Sequence, residues 1–157
     1  MKLLRTTPEQ VVFLLGNREK ELLLSVLRLY PRIPPAHQQL SKNPERLPDR
    51  EGGQRLLAES LAEQRAEQQK RLRLLIEDRR RLSATQSGWE LALSPGELEW
   101  LLQVLNDIRV GSWLAAGSPE DLLGRITERT APHIWAMEVS GSFQMGLLHM
   151  LEGEQPA

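Results

Sequence analysis

Residues 10–30, QVVFLLGNREKELLLSVLRLY, align with residues 88–108, GWELALSPGELEWLLQVLNDI, at an offset of 78, and seven of the 21 positions are identical. The identities are Leu15/Leu93, Glu19/Glu97, Glu21/Glu99, Leu23/Leu101, Leu24/Leu102, Val26/Val104 and Leu27/Leu105. Two leucine-rich helices share some matches by chance, so common ancestry is one explanation among others. The shared local grammar constrains the fold more tightly. Each half has a short alternating segment, a turn-prone pair and then an amphipathic helix.

In the second half, Trp89, Leu91 and Leu93 alternate with Glu90 and Ala92, the period of a half-buried strand. Ser94 then caps a helix, with Pro95 in its first turn and Glu97 three residues on, which makes a capping box. In the first half Val11, Phe13 and Leu15 take the matching inward places, and Asn17 takes the cap role. A competing reading starts a helix at Thr7, because Thr7-Pro8-Glu9-Gln10 has the same form. The Val-Val-Phe run and the break at Gly16-Asn17 favour a strand at 10–15. Paired, the two strands form a ribbon that joins the halves.

Between the halves the texture changes. Seven prolines and glycines in 31–53 forbid one continuous helix there, so this is a proline-rich connecting segment. A long helix is expected over about 54–82, roughly 43 Å at 1.5 Å per residue. Its middle, AEQRAEQQK, is polar nearly all round, while Leu56, Leu57 and Leu61 at one end and Leu72, Leu74, Leu75 and Ile76 at the other supply anchors. Glu67–Arg71 and Glu77–Arg81 have the i,i+4 spacing of supporting ion pairs. Such a helix bridges two regions or lies across a partner. Ser118-Pro119-Glu120-Asp121 starts a short helix to about Glu128, and a last helix runs from about Pro132 to Met150. The expected architecture is mainly α: a bundle of about four to five helices with a minor two-stranded β element near 10–15 and 89–93. It forms one domain over 1–152, with a loose tail at 153–157.

A chain of 157 residues with 40% apolar and 26% charged residues is globular in composition and long enough to bury a core without disulfides or metal. The absence of cysteine excludes thiolate catalysis and cysteine-based metal sites. The net charge of −1 argues against bulk attraction to nucleic acid or anionic lipid. The first residues, MKLLRTTPEQ, lack the apolar core of a signal peptide, and VVFLLG is far short of a membrane span. The expectation is a cytoplasmic protein that does not enter the membrane. His37, His133 and His149 are scattered, and no phosphate loop, nucleophile elbow or H-E-x-x-H occurs. No cofactor or metal is expected.

The chemistry-bearing feature is a polar insertion in an apolar helix. Leu98, Leu101, Leu102, Leu105 and Ile108 stripe the helix Pro95–Ala115, yet Asn106, Asp107 and Arg109 sit inside the run. Asp107 and Arg109 lie about 200° apart around the axis and cannot satisfy each other, whereas Asn106 and Arg109 share a face. A buried charge without a partner costs several kcal/mol or so. Partners are therefore expected to be backbone carbonyls, side chains from the proline-rich segment or the equivalent residues of a second subunit. Three readings follow: a structural network, a subunit interface in which Arg109 and Trp113 act as anchors, or a small-ligand site. The four residues Asn106, Asp107, Arg109 and Trp113 are the candidates for interface or network. No residue is assigned a catalytic role, since no nucleophile or base accompanies them.

Leu105-Asn106-Asp107-Ile108-Arg109, followed by AAGSPED and preceded by a strand, a cap and a tryptophan-bearing helix, resembles an actinobacterial-type bacterial family of unknown function. Its members read approximately LNDLRL–LGTRLG–TED at this place. The resemblance covers most of the chain, but its specific piece is Leu105–Arg109. Here Gly111-Ser112-Trp113-Leu114 replaces the family's Leu-Gly-Thr-Arg, so the family's second arginine has no counterpart. The resemblance implies a domain and no activity.

The C-terminal half of the long helix carries Arg65, Lys70, Arg71, Arg73, Arg79, Arg80 and Arg81, a motive for nucleic-acid binding. Against it stand Glu59, Glu63, Glu67, Glu77 and Asp78 on the same helix, with no aromatic residue for stacking. Trp89, Trp100, Trp113 and Trp135, with Met137, Met145 and Met150, suit a core or an interface. The functional expectation is action through protein–protein contacts, as a homodimer or with another protein. A small-ligand site at Asn106/Asp107/Arg109 is the rival, and nucleic acid is disfavoured.

Overall fold

The computed structural model describes residues 1–34, 50–120 and 126–153. In chain order the elements are β1 (Lys2–Thr6), β2 (Val11–Leu15), α1 (Asn17–Leu27), α2 (Arg50–Glu77), β3 (Leu82–Thr85), β4 (Gly88–Leu93), α3 (Pro95–Ala115) and α4 (Ala131–Glu152). The strands form one sheet in the order β1-β2-β4-β3, antiparallel throughout. This is an α+β fold, which corrects the expectation of a mainly α bundle with a two-stranded element.

The two strands that the alternation marks, β2 and β4, lie at the centre of the sheet. The two it does not mark are the edges. β1 is mostly exposed and is interrupted by a register shift between Leu3 and Arg5, so its side chains carry little alternation. Thr7-Pro8-Glu9-Gln10 is the hairpin turn joining it to β2, closed by reciprocal backbone bonds between Thr7 and Gln10 of 2.8 and 3.3 Å. β3 is four residues long and follows a helix that stops earlier than expected. Asp78 ends that helix: its carboxylate accepts the Arg80 amide at 2.9 Å, and its carbonyl accepts the amides of Arg81 and Leu82. Gly88 then has φ 143°, and a Cβ there would lie 2.4 Å from the Leu15 carbonyl oxygen, so a side chain is excluded at this turn.

The inner face of the sheet presents Val11, Phe13, Leu15, Leu91 and Leu93, all buried, to the helices. β2 and β4 pair with Phe13 opposite Leu91 and Leu15 opposite Trp89. Phe13 and Leu91 differ by 78 in number, the offset of the sequence repeat, so a pseudo-two-fold axis passes between them. The repeated residues occupy equivalent places on either side of it. Leu15 and Leu93, Leu23 and Leu101, Val26 and Val104, and Leu27 and Leu105 are buried pairwise. Glu21 and Glu99 are both exposed.

Both copies start their helix with a glutamate at the third position. Ser94 accepts the Glu97 amide at 3.1 Å while Glu97 accepts the Ser94 amide at 3.0 Å. In α1 the cap is Gly16 rather than Asn17, and only the second half of the exchange exists, Gly16 N–H to Glu19 at 3.0 Å. Asn17 instead accepts the Trp89 indole N–H at 3.0 Å, tying α1 to β4. α4 packs mainly on α3 and also on α1. Ser112, Ala136 and Ser140 are small and fully buried, and they let α3 and α4 approach closely.

The long helix runs over Arg50–Glu77 rather than 54–82 and touches the core through Leu72 and Leu75. The short helix expected from Ser118 falls largely on residues 121–125, and most of the connecting segment falls on 35–49, both outside the described residues. Thr127–Thr130 make a turn, not a helix.

Candidate functional site

After α1 the chain runs Tyr30-Pro31-Arg32-Ile33 without regular structure, so its peptide groups need outside partners. Two helices supply them, and a third meets the Arg32 side chain. From α3, Asp107 Oδ1 accepts the amides of Arg32 at 2.6 Å and Ile33 at 3.4 Å. From α2, the Arg65 guanidinium donates to the carbonyls of Ile33 at 2.6 Å and Pro31 at 3.2 Å, and Gln69 donates to that of Tyr30 at 3.3 Å. From α4, His133 Nδ1 meets the Arg32 guanidinium. Gly111 lets the strap close on α3, for a Cβ there would stand 2.5 Å from the Arg32 carbonyl carbon. The segment is thus a strap that ties α2, α3 and α4 together.

The partner of Asp107 is therefore the backbone of the proline-rich segment. Arg109 points elsewhere: it is exposed, donates to Asn106 Oδ1 at 2.9 Å, and lays its stem against Gly141 of α4. Trp113 is partly exposed and donates its indole N–H to the Pro119 carbonyl at 3.1 Å. Asn106, Arg109 and Trp113 share an arc of roughly 60° on α3, with Asp107 well outside it. The four candidates split into a strap anchor and an outward-facing trio, and the carboxylate and guanidinium do not converge on one ligand.

Beside the strap lies a polar cleft of about 360 Å³ between α2 and α3, bordered by Gln64, Gln68, Gln103, Asn106 and Tyr30. Burial and then the Asp107 charge push the Tyr30 phenol up. Trp100 closes one wall, its indole N–H on Gln68 at 2.9 Å and its ring under Arg71 at 4.2 Å. Asp107 and Arg65 are both engaged by the strap. Among the described residues no group of three or more histidines and carboxylates could hold a metal ion.

A different surface stands out on α4. Its buried side chains, Ala136, Ser140, Phe143 and Leu147, lie on one face. The opposite arc, roughly 140° wide at 100° per residue, exposes Trp135, Met145 and Leu148, with Met145 at 73%. The helix's two carboxylates, the exposed Glu138 and Glu152, fall on this same arc among the apolar side chains. An apolar groove of about 560 Å³ runs beside this arc, between α1 and α4, with Leu22, Val139, Phe143 and Met150 in its walls.

The sequence marks Arg65 only as one of the long helix's cations and does not mark the strap, the role of Gly111 or the open face of α4. A glycine inside an apolar helix and a near-uncharged terminal helix were the available signals. No helix of the described residues is long and apolar enough to cross a membrane. The chain matches no family model, curated protein or solved structure with which it was compared.

Proposed function

We propose that this chain is a cytoplasmic interaction module that works as a homodimer through the outer face of α4. The observation that carries the reading is the arc of Trp135, Met145 and Leu148 opposite a fully packed face. Apolar side chains of this size clustered on one helix face mark association surfaces.

A second copy is the occupant that the spacing supports. Gly141 and Ser142 stand midway between Trp135 and Leu148, so an antiparallel two-fold crossing at that point sets Trp135 of each copy against Leu148 of the other. The small, exposed Ser142 lets the helices meet there beside the Arg109 stem on Gly141, and the same patch serves both subunits, as an isologous contact requires. The exposed Met145 is then placed near Glu138 and Ser142 of the other copy, where the apolar groove opens. Arg109, with its stem on Gly141, flanks the crossing. The family resemblance at Leu105–Arg109 is compatible with this reading and adds no chemistry to it.

Sedimentation velocity at tens of micromolar or so, the range for a micromolar dimer, tests it. The wild type should run as a dimer and the double variant Trp135→Lys/Met145→Lys as a folded monomer. A monomeric wild type overturns the proposal.

A further inference from the structure

Among the described residues of α2, Arg65 is engaged by the strap and Arg71 lies over Trp100. Three of the cations near this helix's C-terminal half border a second groove, of about 540 Å³, between α1 and α2. Its floor is apolar: Leu27 and Leu72 are buried, and Leu24 and Ile76 are half-buried. Lys70 and Arg73 stand on the α2 bank, one turn apart, and Arg28 stands across from them at the end of α1. Among the described residues none of the three makes an ion pair, and Glu77 is the one carboxylate in the lining. The groove's lining therefore carries three cations to one carboxylate, with Glu21 outside it near enough to feel the Arg28 charge, on a chain whose net charge is −1.

We infer that this groove docks an acidic amphipathic helical segment of a partner protein, with leucine-type side chains on the apolar floor and carboxylates facing Arg28, Lys70 and Arg73. Cations on both banks call for anionic groups on both sides of a ligand lying along the groove. The single headgroup of a small amphiphile meets only one of them. A nucleic acid satisfies the cations and leaves the leucine floor unmatched. A helix with apolar residues at i, i+3, i+4 and i+7 and acids on its flanks satisfies both. This surface is separate from the α4 face, so its test is independent of the dimer.

The probe is a fluorescein-labelled peptide of about four helical turns, with leucine at that spacing and glutamate on the flanks. Its anisotropy is titrated against the full chain. Binding should be saturable and weaken at least about tenfold between about 50 and about 300 mM salt, as steering by exposed charges requires. The triple variant Arg28→Glu/Lys70→Glu/Arg73→Glu should lose the acidic peptide and gain the same peptide with lysine in place of glutamate. That exchange needs a folded variant, so it also controls for folding. No binding of the acidic peptide at about 100 µM protein, or equal binding of both peptides by the wild type, overturns the inference. So does complete competition by a single-stranded oligonucleotide or by dodecanoate at the peptide's own concentration.

Discussion

Asp107 and Arg109 are two residues apart in sequence and have opposite fates. Asp107 holds two backbone amides of the strap, and Asp107→Ala leaves them half-buried and unpaired, a loss of about 1–3 kcal/mol. Arg109 bonds only to its neighbour on an exposed surface, so Arg109→Leu should change stability by no more than about 0.5 kcal/mol. Urea unfolding of the two variants separates them, and equal losses would remove the strap as the reason. His133 adds a pH dependence. Burial, then the charges of Arg32 and Arg129, hold it below the ordinary histidine range. Its Nδ1 faces a guanidinium that can only donate, so the neutral ring fits the contact. The folded value lies below the unfolded one of about 6.5, so the unfolded chain takes the proton first. The contribution is complete at neutral pH and is lost as pH falls below that value. The urea midpoint should drop between about pH 7.5 and about pH 5.5, and drop less in His133→Gln. An identical drop in the variant would acquit His133. At this scale the sequence exposed the odd residues of the 105–110 run, and their spacing separated Asp107 from Arg109. It could not name the partners, because backbone amides 75 residues away leave no signature in a side-chain pattern.

Helix caps are local, and the two copies of the repeat offer an internal comparison. Ser94→Ala removes the acceptor for the Glu97 amide and should cost about 1 kcal/mol. The equivalent Gly16 has φ −69°, and a Cβ there meets Glu19 only at ordinary contact distance. Gly16→Ser should therefore complete the second box and stabilise by roughly half a kcal/mol. Thermal melts of the two variants should move in opposite directions, and a destabilised Gly16→Ser would show that the copies differ in more than their caps. Glu97 also belongs to a network. Burial acts to raise its carboxyl, but the hydrogen bonds from Arg81 and Ser94 prevail and hold it below the usual range. Its contribution is present above about pH 4.5 and disappears in acid. The capped helices and the central strands were legible because alternation and capping chemistry lie within a few residues. The edge strands were not, since β1 and β3 bury little and owe their conformation to pairing with β2 and β4.

The molecule as a whole is organised about the pseudo-two-fold axis between Phe13 and Leu91. Phe13 is fully buried there, so Phe13→Ala should cost about 3–5 kcal/mol, a large part of the 5–15 kcal/mol or so available to a domain. A drop in melting temperature no larger than that of a surface variant would refute the central place given to this pair. The repeat offset of 78 was visible in the sequence, and it coincides with the register of the central strand pair. By itself the sequence determined roughly where the four helices of the described residues lie, that Ser94 caps one of them, which strands have an inward face, and that Asp107 and Arg109 cannot serve each other. Those properties depend on side-chain period and on groups within one turn. Only the tertiary structure decided that four strands make the sheet, that the strap takes Asp107, and which face of α4 stays open. Each of these depends on pairing or shielding between residues far apart in the chain, and a linear pattern records burial only where a single element already shows two unlike sides.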